Sequence, residues 1–311
     1  MKNHLIYLAF GNDVFIREAA YSILSFIAIH GTEHSVNIII VTDRIDAAKK
    51  HLGNMEGINY VEISDAQIKE WRGPNNYLYR IKPECLKHVS NLYGGDVTDI
   101  FCLLDTDTVW SRNIAPCLAM ARIGNTIFMD ASEGKLRIVK HMFRDRRTLH
   151  SLANRQWAIN GKNFIISGEM ELWNSGAIML QRKHMHYIDE TIAVIDALWK
   201  YATITTLEQN ALSIVAHNNQ VQVNPLNGTI FHYHEYKEFR HELRAFFSHY
   251  QGAPAHVLAQ HTLRLHPQIR MQPKIAFYQL PRWRRSLFQK FGKTWTPLPL
   301  PWESQAPPRQ C

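Results

Sequence analysis

The hydrophobic pattern of the first 107 residues alternates between two periods. Continuous apolar runs predict four strands, at residues 5–10, 36–42, 59–63 and 99–104. Between these runs, apolar residues recur at helical spacing, as in the set Phe15, Ala19, Ile23 and Ile27. Strands that alternate with helices form a parallel sheet with helices on its faces. The sequence therefore predicts an α/β fold that looks like a nucleotide-binding domain in this half.

The pattern of the second half is less regular. Strands are predicted at residues 126–129, 171–180, 221–223 and 229–234, and helices at residues 185–198 and 205–216. The segment 135–147 is strongly basic and lacks clear periodicity. It is predicted to be either a long loop that faces an acceptor molecule or a solvated surface helix.

Composition and charge narrow the class of protein. With 311 residues, 46% of them hydrophobic, the chain can form one large α/β domain or two modest ones. No apolar run approaches the roughly 20 residues that cross a bilayer, and the first run resembles a strand rather than a signal peptide. The spacing of Cys85, Cys102, Cys117 and Cys311 suggests neither disulfides nor a metal site, which favours a reducing cytoplasm. The formal net charge of +8 indicates an anionic partner: nucleotide phosphates, an acidic membrane or nucleic acid.

Two carboxylates follow the fourth predicted strand directly. Asp105 and Asp107 stand where a buried apolar run ends, and ligands of open α/β sheets bind at the carboxyl ends of strands. Two acids one residue apart can share a hard cation, which in turn can hold a diphosphate. The alternative is that one of them caps the following turn. The sequence has neither a G-x-G-x-x-G after strand one nor a phosphate loop ending in Gly-Lys-Ser/Thr, which argues against a dinucleotide enzyme and a P-loop kinase.

Five motifs occur in a fixed order between residues 4 and 240. They are Asn12-Asp13-Val14-Phe15, Asp105-Thr106-Asp107, Trp173-Asn174-Ser175-Gly176-Ala177, Glu208-Gln209, and His232-Tyr233-His234 with Lys237. This order resembles the family 8 glycosyltransferases of the GT-A fold, which are retaining transferases of nucleotide sugars. The resemblance implies a mixed, mostly parallel sheet flanked by helices, with a Rossmann-like nucleotide-binding half and an acceptor half. It implies a transferase domain at residues 1–240 and leaves residues 241–311 as a basic, aromatic C-terminal extension.

The resemblance implies that the loop after strand one holds the nucleoside. The residues concerned are Ala9, Phe10, Gly11, Asn12, Asp13 and Phe15. Phe15 replaces the tyrosine of the family, which keeps a stacking face and loses a hydroxyl group. The alternative is a helix N-cap at Asn12 or Asp13 followed by a core aromatic residue.

Arg80 is similar to a basic residue of the family. The resemblance implies that it balances the charge of the aspartates and contacts the sugar or phosphate. The alternative is a surface position, where an isolated arginine is more often found.

Three residues are the candidate catalytic groups on the basis of the resemblance: Asn174, Glu208 and Gln209. In the family, the short side chains of an Asn-Ser/Ala-Gly segment let the donor sugar lie against the backbone. The resemblance implies the same role for Ser175 and Gly176. The alternative is that the glycine marks a β-bulge. Glu208 has one methylene more than the aspartate of the family. It also fits a capping box with Thr205, in which its carboxylate would bind backbone N–H groups at the helix start.

The metal ligands implied by the resemblance are Asp105, Asp107 and His232, with Asp105 also touching the nucleotide sugar. His234 would face the same side of a strand and remains a competitor. Lys237 would bind the diphosphate, and Glu235 stands where the family usually has glycine. An imidazole beside carboxylates favours Mn²⁺ over Mg²⁺.

The predicted function is metal-dependent transfer of a hexose from a nucleoside diphosphate sugar, with UDP as the expected carrier. The acceptor is expected to be a glycan or a lipid-linked sugar in polysaccharide biosynthesis, and the family resemblance implies retention of configuration. One alternative is a metal-dependent phosphodiesterase or nuclease, which would be expected to have a second carboxylate cluster. Another is a non-catalytic module that binds nucleotide sugars. No nucleic-acid partner is expected.

Residues 274–295 interleave cations with aromatic and aliphatic side chains. The cations are Arg282, Arg284, Arg285, Lys290 and Lys293, and the apolar residues are Trp283, Leu287, Phe288 and Phe291. Such a stretch can lie in an anionic membrane interface, or it can form a helix packed on the catalytic domain. The first alternative predicts a cytoplasmic protein that is peripheral on the inner face of the plasma membrane. The polar tail after the proline-rich PLPLPW segment is expected to be disordered.

Overall fold

The structure is a computed structural model that describes residues 1–31, 35–52, 55, 57–139 and 144–302, without the side chains of residues 138–147. Its strands are β1 (Asn3–Leu8), β2 (Val36–Thr42), β3 (Ile58–Glu62), β4 (Ile100–Leu104), β5 (Thr108–Trp110), β6 (Thr126–Met129), β7 (Ser132–Lys135), β8 (Gln156–Ile159), β9 (Lys162–Ile165), β10 (Glu171–Trp173), β11 (Ala177–Gln181), β12 (Gln222–Pro225) and β13 (Ile230–His232). Its helices are α1 (Asp13–His30), α2 (Ile45–Leu52), α3 (Asp65–Trp71), α4 (Ile81–Tyr93), α5 (Ala115–Ala121), α6 (Leu136–Val139), α7 (Arg144–Ser151), α8 (His186–Leu198), α9 (Leu207–Asn218), α10 (Phe239–His249), α11 (Ala255–Thr262), α12 (Pro267–Arg270), α13 (Gln272–Gln279) and α14 (Arg282–Lys290). Short 3₁₀ turns occupy Leu78–Arg80 and Arg182–His184.

Seven strands form the central sheet, in the order β12-β6-β11-β4-β1-β2-β3. The pairs β3–β2, β2–β1, β1–β4 and β6–β12 are parallel. Strand β11 is antiparallel to both of its neighbours, β4 and β6. This is the mixed, mostly parallel α/β sheet that the sequence predicts for a GT-A type fold.

Strand β4 illustrates why the sheet lies between two layers of helices. Its side chains alternate in direction, as in any strand. Ile100, Cys102 and Leu104 pack with α1 in one hydrophobic cluster, and Phe101 and Leu103 pack with α4 in another. All five are buried, which accounts for an uninterrupted apolar run where a half-exposed strand would alternate with polar residues.

The single strand predicted at residues 171–180 is two strands that belong to different sheets. Strand β10 pairs with β7, whereas β11 enters the central sheet beside β4. The intervening residues Asn174, Ser175 and Gly176 therefore lie at the sheet edge where β4 ends. The backbone N–H of Asp105 donates to the carbonyl oxygen of Gly176 at 2.8 Å, which ties this segment to the acids that follow β4.

A small antiparallel pair outside the central sheet connects the distant parts of the site. Strand β13 pairs with β5 so that His232 lies opposite Thr108, one residue beyond Asp107. Strand β13 ends at His232, and His234 lies in the following turn. His234 therefore does not lie on the predicted strand, although its ring centre is 4.5 Å from that of His232 and both residues line the cavity.

The chain after residue 240 packs against α1 before it reaches the surface. Phe246, Leu258 and Leu265 belong to the same hydrophobic cluster as α1, and the Tyr21 hydroxyl donates to the carbonyl oxygen of Leu265 at 2.9 Å. No helix in the described ranges is both long enough and apolar enough to cross a bilayer. The limit at residue 240 between a transferase domain and an extension stays a prediction.

Several predictions concern residues outside the described part of the chain. The basic segment 135–147 begins at the end of β7 and continues into α6, and residues 140–143 lie outside the description. The same holds for the tail 303–311, including Cys311. The other three cysteines are free thiols, of which Cys85 and Cys102 are buried.

Candidate active site

A cavity of about 800 Å³ opens at the carboxyl ends of β1 and β4. It brings together most of the residues predicted for the site. The predicted residues that line it are Phe10, Gly11, Asn12, Phe15, Asp105, Asp107, Asn174, Ser175, Glu208, Gln209, His232, His234 and Lys237. Ala9, Asp13, Arg80 and Gly176 are described but lie outside this lining.

Asp105, Asp107 and His232 form a group that fits a divalent cation. Each offers one ligand atom, and these atoms lie within 4.8 Å of one another. Nε2 of His232 lies 3.3 Å from Oδ1 of Asp107 and 3.9 Å from Oδ2 of Asp105. One imidazole nitrogen and two carboxylates are a donor set that suits Mn²⁺ and, less well, Mg²⁺.

The group carries strong electrostatic interactions. Burial alone would lower the pKa of His232, but hydrogen bonds to Asp107 and Asp130 outweigh it and raise that pKa to about 10. Burial would likewise raise the pKa of Asp107, yet His232 and Lys237 hold it well below its usual range. The residues are thus arranged to keep Asp107 ionised and to place positive charge beside it.

Two lysines contact the two acids. Nζ of Lys82 lies 2.7 Å from Oδ1 of Asp105, and Nζ of Lys237 contacts Oδ2 of Asp107. Burial would lower the pKa of Lys82, but the charges of Asp105 and Glu208 outweigh burial and raise it. Lys82 was not among the predicted site residues.

Arg80 corrects a sequence prediction. Its guanidinium does not contact the aspartates; it binds the carboxylate of Asp196 at 2.8 and 2.9 Å and that of Glu84 at 2.8 Å. The 3₁₀ turn before α4 directs Arg80 toward α8, and Lys82, two residues later, faces the cavity. The basic group of this segment that contacts Asp105 is therefore the ammonium group of Lys82 and not a guanidinium group.

Another part of the cavity lining, called the amide wall here, holds a carboxylate with the side-chain amides of Asn174 and Gln209. Nδ2 of Asn174 and Nε2 of Gln209 each donate to one oxygen of Glu133, both at 3.1 Å. The Asn174 side-chain oxygen accepts from the backbone N–H of Gly176 at 2.8 Å, which fixes the amide. Glu133 follows β6 in a segment that carries no motif, and sequence analysis missed it.

Glu208 is buried beside this wall. One of its oxygens accepts from the Ser175 hydroxyl at 2.9 Å, and the other has no hydrogen-bond partner within the described residues. Burial and the charge of Asp105 raise the pKa of Glu208 to about 7, although the positive charge of Lys82 opposes the shift. The capping box is not formed, because the N-cap of α9 is Thr206 and makes no side-chain cap hydrogen bond.

The first loop and helix form the end of the cavity at which the nucleoside is expected. Oδ1 of Asn12 accepts from the backbone N–H of Val14 at 2.9 Å, which confirms the N-cap. Phe15 is 39% exposed and lines the cavity, so it is not a core residue. The guanidinium carbon of Arg240 lies 5.6 Å from the Phe15 ring centre.

Glu18 fixes Arg240 in that position. The buried Glu18 carboxylate accepts from Nε of Arg240 at 2.9 Å and from the Thr106 hydroxyl at 3.2 Å. Burial raises the pKa of Glu18, although Arg240 opposes this. Neither residue belongs to a motif, and no local sequence signal distinguishes them.

The other predicted residues of the loop, Ala9, Gly11 and Asp13, make contacts that hold the loop in place. Asp13 forms an ion pair with Arg44 at 2.7 Å. Ala9 is buried, and its backbone N–H donates to the carbonyl oxygen of Val41 at 2.9 Å. The backbone N–H of Gly11 donates to the carboxylate of Asp43 at 3.0 Å.

No protein-family model and no curated protein matches the sequence. Among solved structures, the chain is similar to the galactosyltransferase LgtC in complex with donor and acceptor sugar analogues, with 13% identity and a TM-score of 0.47 over 72% of this chain and 73% of that one. It is also similar to mouse xyloside xylosyltransferase 1 in its apo form, with 12% identity and a TM-score of 0.49 over 73% of this chain and 85% of that one. Both are glycosyltransferases by name, but alignments this loose carry no argument about activity. A functional assignment therefore has to be supported by the geometry of the site.

Proposed function

We propose that this protein is a metal-dependent glycosyltransferase of the GT-A type. It transfers a hexose from a nucleoside diphosphate sugar to a glycan or a lipid-linked acceptor. One observation carries the proposal: the Asp105, Asp107 and His232 group opens into the same cavity as the amides of Asn174 and Gln209. The first set suits a cation with a diphosphate, and the second suits the hydroxyl groups of a sugar.

In this proposal Asp105, Asp107 and His232 hold the cation, which we expect to be Mn²⁺. The bound cation supplies Lewis-acid stabilisation of the negative charge on the leaving diphosphate. Lys237 contributes a positive charge at the same place, and Lys82 holds Asp105 in position. The chain's own contribution is a fixed set of charges around the leaving group.

The amide wall holds the donor sugar in this proposal. Asn174 and Gln209 are fixed by Glu133, and together with Glu208 they offer donors and acceptors to sugar hydroxyls. During transfer the bond from the anomeric carbon to the diphosphate oxygen breaks, and the acceptor oxygen bonds to that carbon. The acceptor hydroxyl proton passes to the departing diphosphate. Retention of configuration is proposed from the family resemblance.

The nucleoside is proposed to bind at the end of the cavity formed by Asn12 and Phe15. A planar base stacks on the exposed ring of Phe15. The Arg240 guanidinium beside that ring offers N–H donors to carbonyl oxygens of the base. This supports a base with carbonyl groups, and uracil is our first choice.

A thermal-shift panel with UDP-, GDP- and CMP-sugars, with and without Mn²⁺, tests the donor. A ligand that binds the folded state raises the melting temperature by mass action, and we expect the largest shift for a UDP-sugar with Mn²⁺.

Release of nucleoside diphosphate then measures turnover. Asp107→Asn is expected to reduce it at least about 10³-fold because a metal ligand is lost. Asp189→Asn, at an exposed aspartate that pairs with Lys87, is the matched control. Undiminished turnover of Asp107→Asn in the presence of EDTA would rule out the mechanism.

The two alternatives make different predictions in the same assays. A two-metal phosphodiesterase needs a second ligand group, and within the described ranges Asp105, Asp107 and His232 are the one group of this kind. It would release a nucleoside monophosphate from a diester. A non-catalytic module would show the Mn²⁺-dependent thermal shift without any release of nucleoside diphosphate.

We also propose that α14 docks on an anionic membrane surface. None of its residues is buried, Trp283 is 64% exposed, and Phe291 just beyond the helix is 72% exposed. The exposed apolar side chains alternate with Arg282, Arg284 and Lys290, as in interfacial helices. The proposed location is the cytoplasmic face of the plasma membrane, where lipid-linked acceptors are available.

Liposome flotation tests the membrane proposal. The full chain is expected to float with vesicles that contain an anionic phospholipid, and Trp283→Ser with Phe291→Ser is expected to weaken flotation about tenfold. Ile123→Ser, which removes an apolar side chain of similar exposure on another surface, is the control. Equal flotation of all three proteins would contradict the proposal without affecting the transferase assignment.

A further inference from the structure

His232 makes a second contact on the side of its ring that faces away from the acids. Its Nδ1 lies 2.7 Å from Oδ2 of Asp130, within hydrogen-bond distance. The side chains of both residues are only 7% exposed. Asp130 does not belong to any of the motifs.

The backbone of Asp130 is fixed on both sides. Its N–H donates to the carbonyl oxygen of Asn174 at 3.1 Å, and its own carbonyl accepts from the N–H of Asn227 at 2.8 Å and of Leu226 at 3.1 Å. The carboxylate therefore has a defined place at the end of β6. A hydrogen bond from Nδ1 to this place sets the rotation of the His232 ring and leaves Nε2 toward Asp105 and Asp107.

Gly176 provides the space for this pair. A Cβ atom added at Gly176 would lie 2.9 Å from Oδ2 of Asp130 and closer still to Nδ1 of His232. Any side chain at this position would displace the imidazole, the carboxylate or both. The sequence prediction assigned Gly176 to the donor sugar, whereas its missing side chain makes room for the His232–Asp130 pair.

We infer that Asp130 is a positioning residue of the metal site and that Gly176 is required for its contact with His232. The carboxylate accepts a hydrogen bond from Nδ1, so Nε2 is the ring nitrogen that faces the acids and is placed to bind a cation. The inference rests on the metal site of the proposed function and not on sugar transfer. Because it acts through an imidazole, it affects Mn²⁺ more than Mg²⁺.

Titration of Mn²⁺ into the nucleotide-free protein, followed by the electron paramagnetic resonance signal of the free ion, tests this inference. Asp130→Asn is expected to weaken Mn²⁺ binding about 10- to 100-fold and Mg²⁺ binding, measured by competition, by less. In a His232→Ala background, Asp130→Asn is expected to have no further effect, because its influence passes through the ring. If Asp130 merely supported the fold, Asp130→Asn would weaken the binding of both ions alike. It would do so both with and without His232.

Gly176→Ala is the second variant, since it disturbs the His232–Asp130 pair from the other side. This variant is expected to weaken Mn²⁺ binding to a similar extent. Circular dichroism confirms that each variant folds. Unchanged affinity in Asp130→Asn, or an equal loss with and without His232, would overturn the inference, and so would absence of Mn²⁺ binding in the unaltered protein. Mn²⁺ binding that depends on Asp130 in a protein without transferase activity would refute the proposed function and leave the inference standing.

Discussion

The two walls of the cavity use different means to hold a carboxylate. On the metal wall, Asp105 and Asp107 each contact a lysine ammonium group. On the amide wall, Glu133 is held by the side-chain amides of Asn174 and Gln209, which carry no charge. The first wall therefore pairs acids with ammonium groups, whereas on the second two neutral amides donate to one acid.

The difference follows from what each wall is proposed to bind. A cation and a diphosphate bring opposite charges, and the metal wall presents both carboxylates and ammonium groups to them. Sugar hydroxyls are neutral groups that need donors and acceptors in fixed directions, which amides provide. If this comparison is right, removal of a charge on the metal wall disturbs the protein far more than removal of a donor on the amide wall.

The largest effect is expected for Lys82→Met. This change leaves the largely buried Asp105 without its ammonium partner, and loss of one member of such a pair costs about 4 kcal/mol. The free energy of unfolding in urea measures the loss. Lys87→Met, which removes an exposed lysine paired with Asp189, is expected to change it by less than about 1 kcal/mol. Equal losses in the two variants would contradict the comparison.

A smaller, pH-dependent effect is expected for Glu208→Gln. The pKa of Glu208 is raised to about 7 in the folded protein, so the folded state binds a proton that the unfolded chain releases near pH 4.5. This contribution is present below pH 4.5 and is lost as the pH rises through about 7. The stability of the unaltered protein, measured relative to the glutamine variant, should fall by about 3 kcal/mol over that interval. A difference that does not vary with pH would show that Glu208 is ionised throughout.

The smallest effect on stability is expected for Gln209→Ala. It removes one of the two amides that bind Glu133, and Asn174 still holds the carboxylate, so a loss of about 1 kcal/mol is expected. Chemical denaturation measures the loss, with Gln268→Ala, at a glutamine outside the cavity lining, as the control. A loss as large as that of Lys82→Met would show that the two walls do not differ.

The sequence predicts the parts of this site that depend on local pattern. The apolar run of β4 and the acids at its end follow from hydrophobicity alone, and the mixed α/β sheet is confirmed. His232 required the family resemblance, because no local signal tells which strand will pair with β5. The pairing of β13 with β5 decides that this histidine, rather than His234, reaches the acids.

The site residues that sequence analysis missed are placed by two features: the direction in which a turn points its side chains, and the order of strands in the sheet. Arg80 and Lys82 are two residues apart, and the 3₁₀ turn before α4 decides which one faces the cavity. Asp130 follows β6 and Glu133 lies in β7, and they reach the site because β6 lies beside β11 in the sheet, next to the Asn174–Gly176 segment. Strand order is a property of the whole chain and cannot be inferred from a window of a few residues.

The segment that carries α14 is attached to the globular body on both sides. Before it, Nζ of Lys274 binds the carboxylate of Glu238 at 2.7 Å; after it, the buried Arg270 guanidinium binds the carbonyl oxygens of Leu298 at 2.7 Å and Pro299 at 3.0 Å. Contacts on both sides of α14 restrict the directions in which the helix can point more than a contact on one side would. If α14 meets a bilayer, the cavity mouth then takes a restricted tilt above the lipid surface. The reach of the cavity toward a membrane-bound acceptor would be set by this angle as well as by distance.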